Sequence, residues 1–128
     1  MHRAAVLLIL LTALSGCSTE PGGTATIGPD TVTRTSVPAL AASVYQRQTV
    51  GTPADSLLDV LLRRQIDVLD LWAPIGGTPC MAVCATANII VALQAPDDRM
   101  RQYGFDTTAG WMCINCGIDR FIHYRVVR

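Results

Sequence analysis

The sequence predicts a small α+β domain: a mostly antiparallel sheet of three or four strands with one or two helices on one face, stapled by disulfides. Three observations carry that expectation. Ala54, Leu57, Leu58, Leu61 and Leu62 recur at helical spacing, whereas 66–72 and 88–93 are rich in β-branched and aromatic residues over strand-like lengths. Four cysteines fall into two close pairs, Cys80/Cys84 and Cys113/Cys116. A chain of 128 residues that is 50% hydrophobic is long enough for one modest core and too apolar to be wholly disordered.

Taken from the N-terminus, residues 1–16 read as a secretory signal. His2 and Arg3 form a short basic start, and 4–14 is an apolar run of eleven residues broken only by Thr12. That run is too short for a bilayer span, which needs about 20 residues, and it lacks the polar face of a core helix. Leu14-Ser15-Gly16-Cys17 then resembles the lipobox of bacterial lipoproteins: an aliphatic residue, two small residues, and a cysteine. The resemblance implies that Cys17 becomes the mature N-terminus, thioether-linked to diacylglycerol and often N-acylated with palmitate. Two or three acyl chains anchor stably where one binds only marginally. Ser18 follows in place of the Asp that retains some lipoproteins at the inner membrane. The resemblance therefore implies a lipid-anchored place in the cell envelope, on the outer membrane if the cell has two.

The lipidated Cys17 is followed by a Gly/Pro/Ser/Thr-rich stretch, so 17–37 is expected to be a flexible tether of about 25 Å root-mean-square span. A minor alternative places an edge strand at 31–35, where β-branched residues cluster. The folded domain is expected at 38–128. Within it, 36–48 reads as a short helix with Ser36 as cap and Pro38 in its first turn. Thr52-Pro53-Ala54-Asp55 carries the signature of a helix start, so a helix is placed at 53–64. A strand follows at 66–72, then a loop at 73–79 with a turn at Gly76-Gly77. A second strand region covers 80–93, buried on both faces over 88–93. Pro96-Asp97-Asp98 opens a short helix that ends at Tyr103, with Gly104 as a left-handed stop. A last strand occupies 120–127.

With Cys17 set aside, an even number of cysteines in an exported chain reads first as two disulfides. Pairing the Cys80/Cys84 cluster with the Cys113/Cys116 cluster closes loops of about 30–37 residues and stabilises by roughly 3–4 kcal/mol each, more than local bridges would. Two alternatives stay open. Cys113-Ile114-Asn115-Cys116-Gly117 resembles a zinc-ribbon knuckle, and four thiolates at Cys80, Cys84, Cys113 and Cys116 would suit zinc. Trp111-Met112-Cys113-Ile114-Asn115-Cys116 is similar to the Trp-Cys-x-x-Cys redox motif, with Met112 inserted and only 12 residues following. No His directly follows Cys116, which excludes c-type haem attachment.

No catalytic constellation is visible. His123 sits in the last strand as either a general base or a half-exposed strand residue, and no motif ties a nucleophile to it. Asp97 and Asp98 suit a helix start, Asp55, Asp59, Asp67 and Asp70 a solvated edge, and Trp72 and Trp111 caps on a core. Ten basic and ten acidic residues give no net charge. With no lysine and 5% aromatics, nothing points to nucleic acid, and a P-loop or a pyridoxal Schiff base is excluded. The expectation is a non-enzymatic envelope lipoprotein without cofactor, held to the membrane by its lipid, that binds another envelope protein or supports an assembly. The alternative is an extracytoplasmic thiol-redox or zinc protein.

Overall fold

The computed structural model describes residues 24–49, 51, 53–80 and 87–128. The signal segment, the lipobox with Cys17, Thr52 and Cys84 lie outside the described residues. The strands are β1 (Ala25–Thr33), β2 (Val44–Gln48), β3 (Val68–Gly77), β4 (Asn88–Leu93), β5 (Asp106–Thr107) and β6 (Ile118–Val127). They form one antiparallel sheet in the order β1-β6-β3-β4-β2-β5. Among the described residues there is one α-helix, α1 (Ala54–Arg63), with 3-10 turns at Arg34–Ser36 and Asp98–Tyr103.

The expected helix at 53–64 is α1. Its leucine stripe buries Leu57, Leu58 and Leu61 against one face of the sheet, where Leu71, Ile89, Val91, Leu93 and Val126 meet it. Burying each such side chain fully stabilises by roughly 1.5–3 kcal/mol. The central strand β4 sends Ile89, Val91 and Leu93 into this core and Ile90 to the opposite face, which is why its sequence is continuously apolar. The 96–103 segment also forms as expected. Asp97 accepts a hydrogen bond from the Arg99 N–H at 3.0 Å, and Gly104 ends the turn in the left-handed region at φ 82°.

The sheet has six strands where three or four were expected, and the extra ones lie where the chain carries no clear alternating pattern. Ala25–Thr33, assigned to the tether, is instead the edge strand β1, paired with β6 from Ala25↔Val127 to Thr33↔Arg120. Almost every β1 side chain is exposed, so the strand is held by its backbone ladder and carries little hydrophobic pattern. A bulge at Gly28-Pro29, between Ile27 and Asp30, interrupts it. The helix expected over 36–48 is replaced by a 3-10 turn at Arg34–Ser36 and by β2, whose Val44 and Tyr45 are buried on opposite faces. The predicted loop at 73–79 continues β3 as far as Gly77. Pro74 is tolerated because the β3–β4 ladder ends at the Trp72↔Ile90 pair, leaving one side of the strand free of that partner.

The second face of the sheet carries a smaller core of Val44, Trp72, Ile90, Ile114, Ile118 and Phe121, with Val32, Val37 and Ala92 packed against it. No helix covers it among the described residues. Two irregular segments do, 34–43 and 108–117. Cys80 and Cys116 are joined by a disulfide, Cα to Cα 5.3 Å, and the Cys80 N–H donates to the Cys116 carbonyl at 2.9 Å. The bridge ties the chain leaving β3 to the chain entering β6, the cross-cluster pairing that loop entropy favours. Gly117, at φ 83°, lets these chains close: a Cβ there would overlap the Thr78 carbonyl and stand 3.1 Å from the Cys80 nitrogen.

The bridge spans a sequence separation of 36 residues. Replacing both partners, Cys80→Ser with Cys116→Ser, is expected to cost about 3–4 kcal/mol. At about 4–8 °C per kcal/mol, the melting temperature should fall by more than about 12 °C. A thermal melt followed by circular dichroism measures this, and a fall of a few degrees would show that the staple is dispensable.

Candidate functional site

Two side-chain groups on the second face are candidates for chemistry. The first is built on the β3–β6 ladder, where Trp72 faces His123 and Asp70 faces Arg125. Cross-strand partners share a face, so the Trp72 and His123 rings stack, centroids 4.9 Å apart and planes within 3°. The Asp70 carboxylate meets His123 Nε2 at 2.8 Å, both side chains being about one-fifth exposed. Trp72 Nε1 donates to Ser36 Oγ at 3.2 Å, and Ser36 Oγ donates to the Thr33 carbonyl at 3.0 Å. A base oriented by a carboxylate is half of a catalytic arrangement. Among the described residues no hydroxyl or thiol hydrogen-bonds to the imidazole, so no nucleophile is set against it there. The group links β3 to β6, with the His123 side chain about one-fifth exposed. Asp70 departs from the solvated edge expected of it.

The second group frames a cleft. Its floor is Val44, Ile90 and Phe121, and its walls are the 37–40 and 112–115 segments. Its volume is about 240 Å³. Leu40, 38% exposed, and Met112, 88% exposed, stand at its mouth, with Trp111 half exposed beside Met112. Trp111 is thus no core cap, in contrast to the buried Trp72.

Polar contacts fix both walls. Asn115, only 2% exposed, holds φ at 57°, a conformation that Asn tolerates better than most residues. Its Oδ1 accepts from the Asn88 backbone N–H at 2.5 Å, and its Nδ2 donates to the Asn88 carbonyl at 2.8 Å. Asn88 Nδ2 in turn donates to Gln46 Oε1. Gln46 Nε2 and Asn88 Oδ1 have no hydrogen-bond partner among the described residues. The Arg34 guanidinium clamps the same wall, donating from Nε to the Ile118 carbonyl at 3.1 Å and from Nη2 to the carbonyls of Ile114, at 3.4 Å, and Asn115. Further along, Thr108 Oγ1 accepts from the Ala41 N–H at 2.9 Å and donates to the Ala41 carbonyl at 3.0 Å. The 37–40 wall is therefore tied down on both sides.

The cysteines assigned to a staple or a metal fall as follows. Cys80 is bonded to Cys116, and Cys113 is disulfide-bonded as well. Cys113 and Cys116 are not joined to each other, as a Trp-Cys-x-x-Cys pair would be. Cys84, and Cys17 as the lipidation site, lie outside the described residues. Among the described residues no three His, Cys, Asp or Glu side chains are grouped to hold a metal ion. The Gly76-Gly77 pair is no turn but the end of β3. Asp59 pairs with Arg63, Asp67 with Arg128 and Asp97 with Arg99, so these acids satisfy local cations. Hydrogen bonds from the Arg99 side chain and backbone N–H hold the Asp97 carboxyl below its ordinary value of 3.8. Burial raises the Tyr124 hydroxyl above its usual range, with the charge of Asp55 adding to it.

Sequence reading singled out none of Arg34, Gln46, Asn88, Asn115 or Thr108. Only Asn115 left a trace, as an Asn between two cysteines and two residues before a Gly, a composition suited to a left-handed turn.

No family model matches the chain, and no curated protein or solved structure is similar enough to it to carry an argument.

Two outcomes follow from these contacts. Asn115→Ala leaves the buried Asn88 N–H and carbonyl without their partners and should cost about 2–4 kcal/mol. Thermal melts, with hydrogen exchange at the Asn88 amide, check this, and a loss below about 0.5 kcal/mol would mean that the disulfide alone holds the wall. Asp97→Asn keeps a capping side chain but removes the charge. Because folding depresses the Asp97 value, its ion pair stabilises above pH 3.8 and is lost as pH falls through the lower folded value. The variant should melt slightly below the parent at pH 7, and the gap should close in melts taken below pH 3.8.

Proposed function

We propose that the protein is a lipid-anchored cell-envelope lipoprotein whose folded domain binds rather than catalyses, presenting the second face of its sheet to a partner. One observation carries the binding half of this reading: an apolar cleft stands open between two pinned walls, with Met112 almost fully exposed at its mouth. An exposed Met beside an exposed Trp is costly surface for a protein with no apolar partner, and both residue types are favoured at interfaces. The anchoring half rests on the lipobox resemblance at Leu14-Ser15-Gly16-Cys17 and on an oxidised cysteine pair, which suits an exported chain. The thiol-redox and zinc alternative draws less support, because Cys116 is bonded to Cys80 and neither is a thiolate.

Chain length adds a placement. Ala25 lies eight positions after Cys17, a reach of at most about 28 Å. The sheet enters at the Ala25 end of β1, while the cleft adjoins Arg34, just past its Thr33 end. A strand of nine residues spans roughly 30 Å. The cleft therefore sits at the end of β1 that lies farther along the chain from Cys17.

Cys17→Ser should leave the precursor uncleaved and without acyl chains, as read by gel mobility and metabolic palmitate labelling. Normal cleavage and acylation of that variant would overturn the anchoring half. In intact cells, a photo-crosslinking residue at position 112 should give protein adducts that one at Asp59, on the exposed side of α1, does not. Equal labelling at both positions would overturn the binding half.

A further inference from the structure

The cleft's charge identifies what enters it. Among the described residues Arg34 is the only charged side chain that lines it, and no acid does. Its Nε and Nη2 are committed to carbonyls, while Nη1 carries no hydrogen bond among the described residues. Arg34 also has no carboxylate partner among the described residues, unlike Arg63, Arg99 and Arg128. Carbonyl acceptors hold the guanidinium in place without neutralising its charge. A fixed cation thus stands at one end of an apolar slot floored by Val44, Ile90 and Phe121. At about 240 Å³ the slot is smaller than the roughly 300–1,000 Å³ of pockets that enclose a whole small ligand. It suits one large apolar side chain delivered by a larger molecule.

We infer that the cleft binds a protein segment that inserts a large apolar side chain over Phe121 and Ile90 and sets a neighbouring carboxylate on Arg34. The inference rests on the binding role proposed above and names the partner's chemistry. The apolar anchor supplies affinity through burial, and the carboxylate fixes orientation and excludes basic segments. Both walls are held before binding, by Asn115 and Arg34 on one side and Thr108 on the other, so little ordering is lost when the segment docks.

Titration of the folded, disulfide-bonded domain with fluorescent hexapeptides tests this. Three peptides carry a central Phe followed by Asp, Asn or Lys, and decanoate serves as a non-peptide apolar acid. The Asp peptide should bind saturably and about three- to fivefold more tightly than the Asn peptide, with the Lys peptide weakest and the preference fading at high salt. Arg34→Gln should erase the Asp-over-Asn preference. Since that change also removes carbonyl clamps, Met112→Asp at the exposed mouth gives a second readout that leaves the fold intact and should reverse the order of the Asp and Lys peptides. Ala39→Trp, which fills the slot, should weaken all three. Peptides that bind without regard to charge overturn the inference while leaving a binding cleft. Decanoate binding with no peptide binding overturns it in favour of a small amphiphile. Absence of any binding, together with equal crosslinking at 112 and 59, overturns the proposed function itself.

Discussion

The side-chain amide of Asn115 stands in for a strand that the sheet does not have. By accepting from the backbone N–H of Asn88 and donating to its carbonyl, it makes the pair of hydrogen bonds that a neighbouring strand residue would make. The loop that carries Asn115 is thereby attached at the point where β4 begins. Its neighbours follow from that attachment: Ile114 is set into the second core, and the carbonyls of Ile114 and Asn115 turn toward Arg34. Cys116 reaches Cys80, and Gly117 passes close under Thr78.

The two faces of the sheet are stabilised by different physics. The α1 face is closed by a helix whose leucine stripe interlocks with branched residues of β3, β4 and β6, a large apolar core that needs no special chemistry. The other face is closed by irregular chain, and irregular chain carries backbone groups that no ladder satisfies. These groups find side chains instead: Arg34 for the carbonyls of 114, 115 and 118, and Thr108 for both polar groups of Ala41. Loops pinned at a few polar points do not pack as continuously as a helix does. The gap between the two walls is the cleft, so the feature that reads as functional is also a consequence of how this face is covered.

The Trp72–His123–Asp70 group follows from strand register. Cross-strand pairing brings the rings together, and the carboxylate one pair along reaches the imidazole at hydrogen-bond distance. Its contacts run in series: the indole N–H has Ser36, His123 Nε2 has Asp70, and Ser36 has the Thr33 carbonyl. Through Ser36 it also secures the 3-10 turn that leads into the cleft wall. It links β3 and β6 to the segment that begins at Arg34.

By itself the sequence determined the elements whose hydrophobic pattern reports their burial. The stripe from Leu57 to Leu61 specified α1, the run from Ile89 to Leu93 specified a strand buried on both faces, and Asp97 with Gly104 specified the turn between them. Cysteine spacing and loop entropy pointed to a bridge between the two clusters, and Cys80–Cys116 is one. Tertiary structure alone decided the rest. β1 is exposed along nearly its whole length, so no alternation marks it, and only pairing with β6 makes 25–33 a strand instead of a tether. Val44 and Tyr45 become strand rather than helix because β4 offers a ladder there, an interaction between residues more than forty positions apart. The cleft was not legible for the same reason. Arg34, Asn88 and Asn115 act through backbone groups about 27 to 84 residues away, and a hydrogen bond to a distant carbonyl leaves no mark on local composition or periodicity.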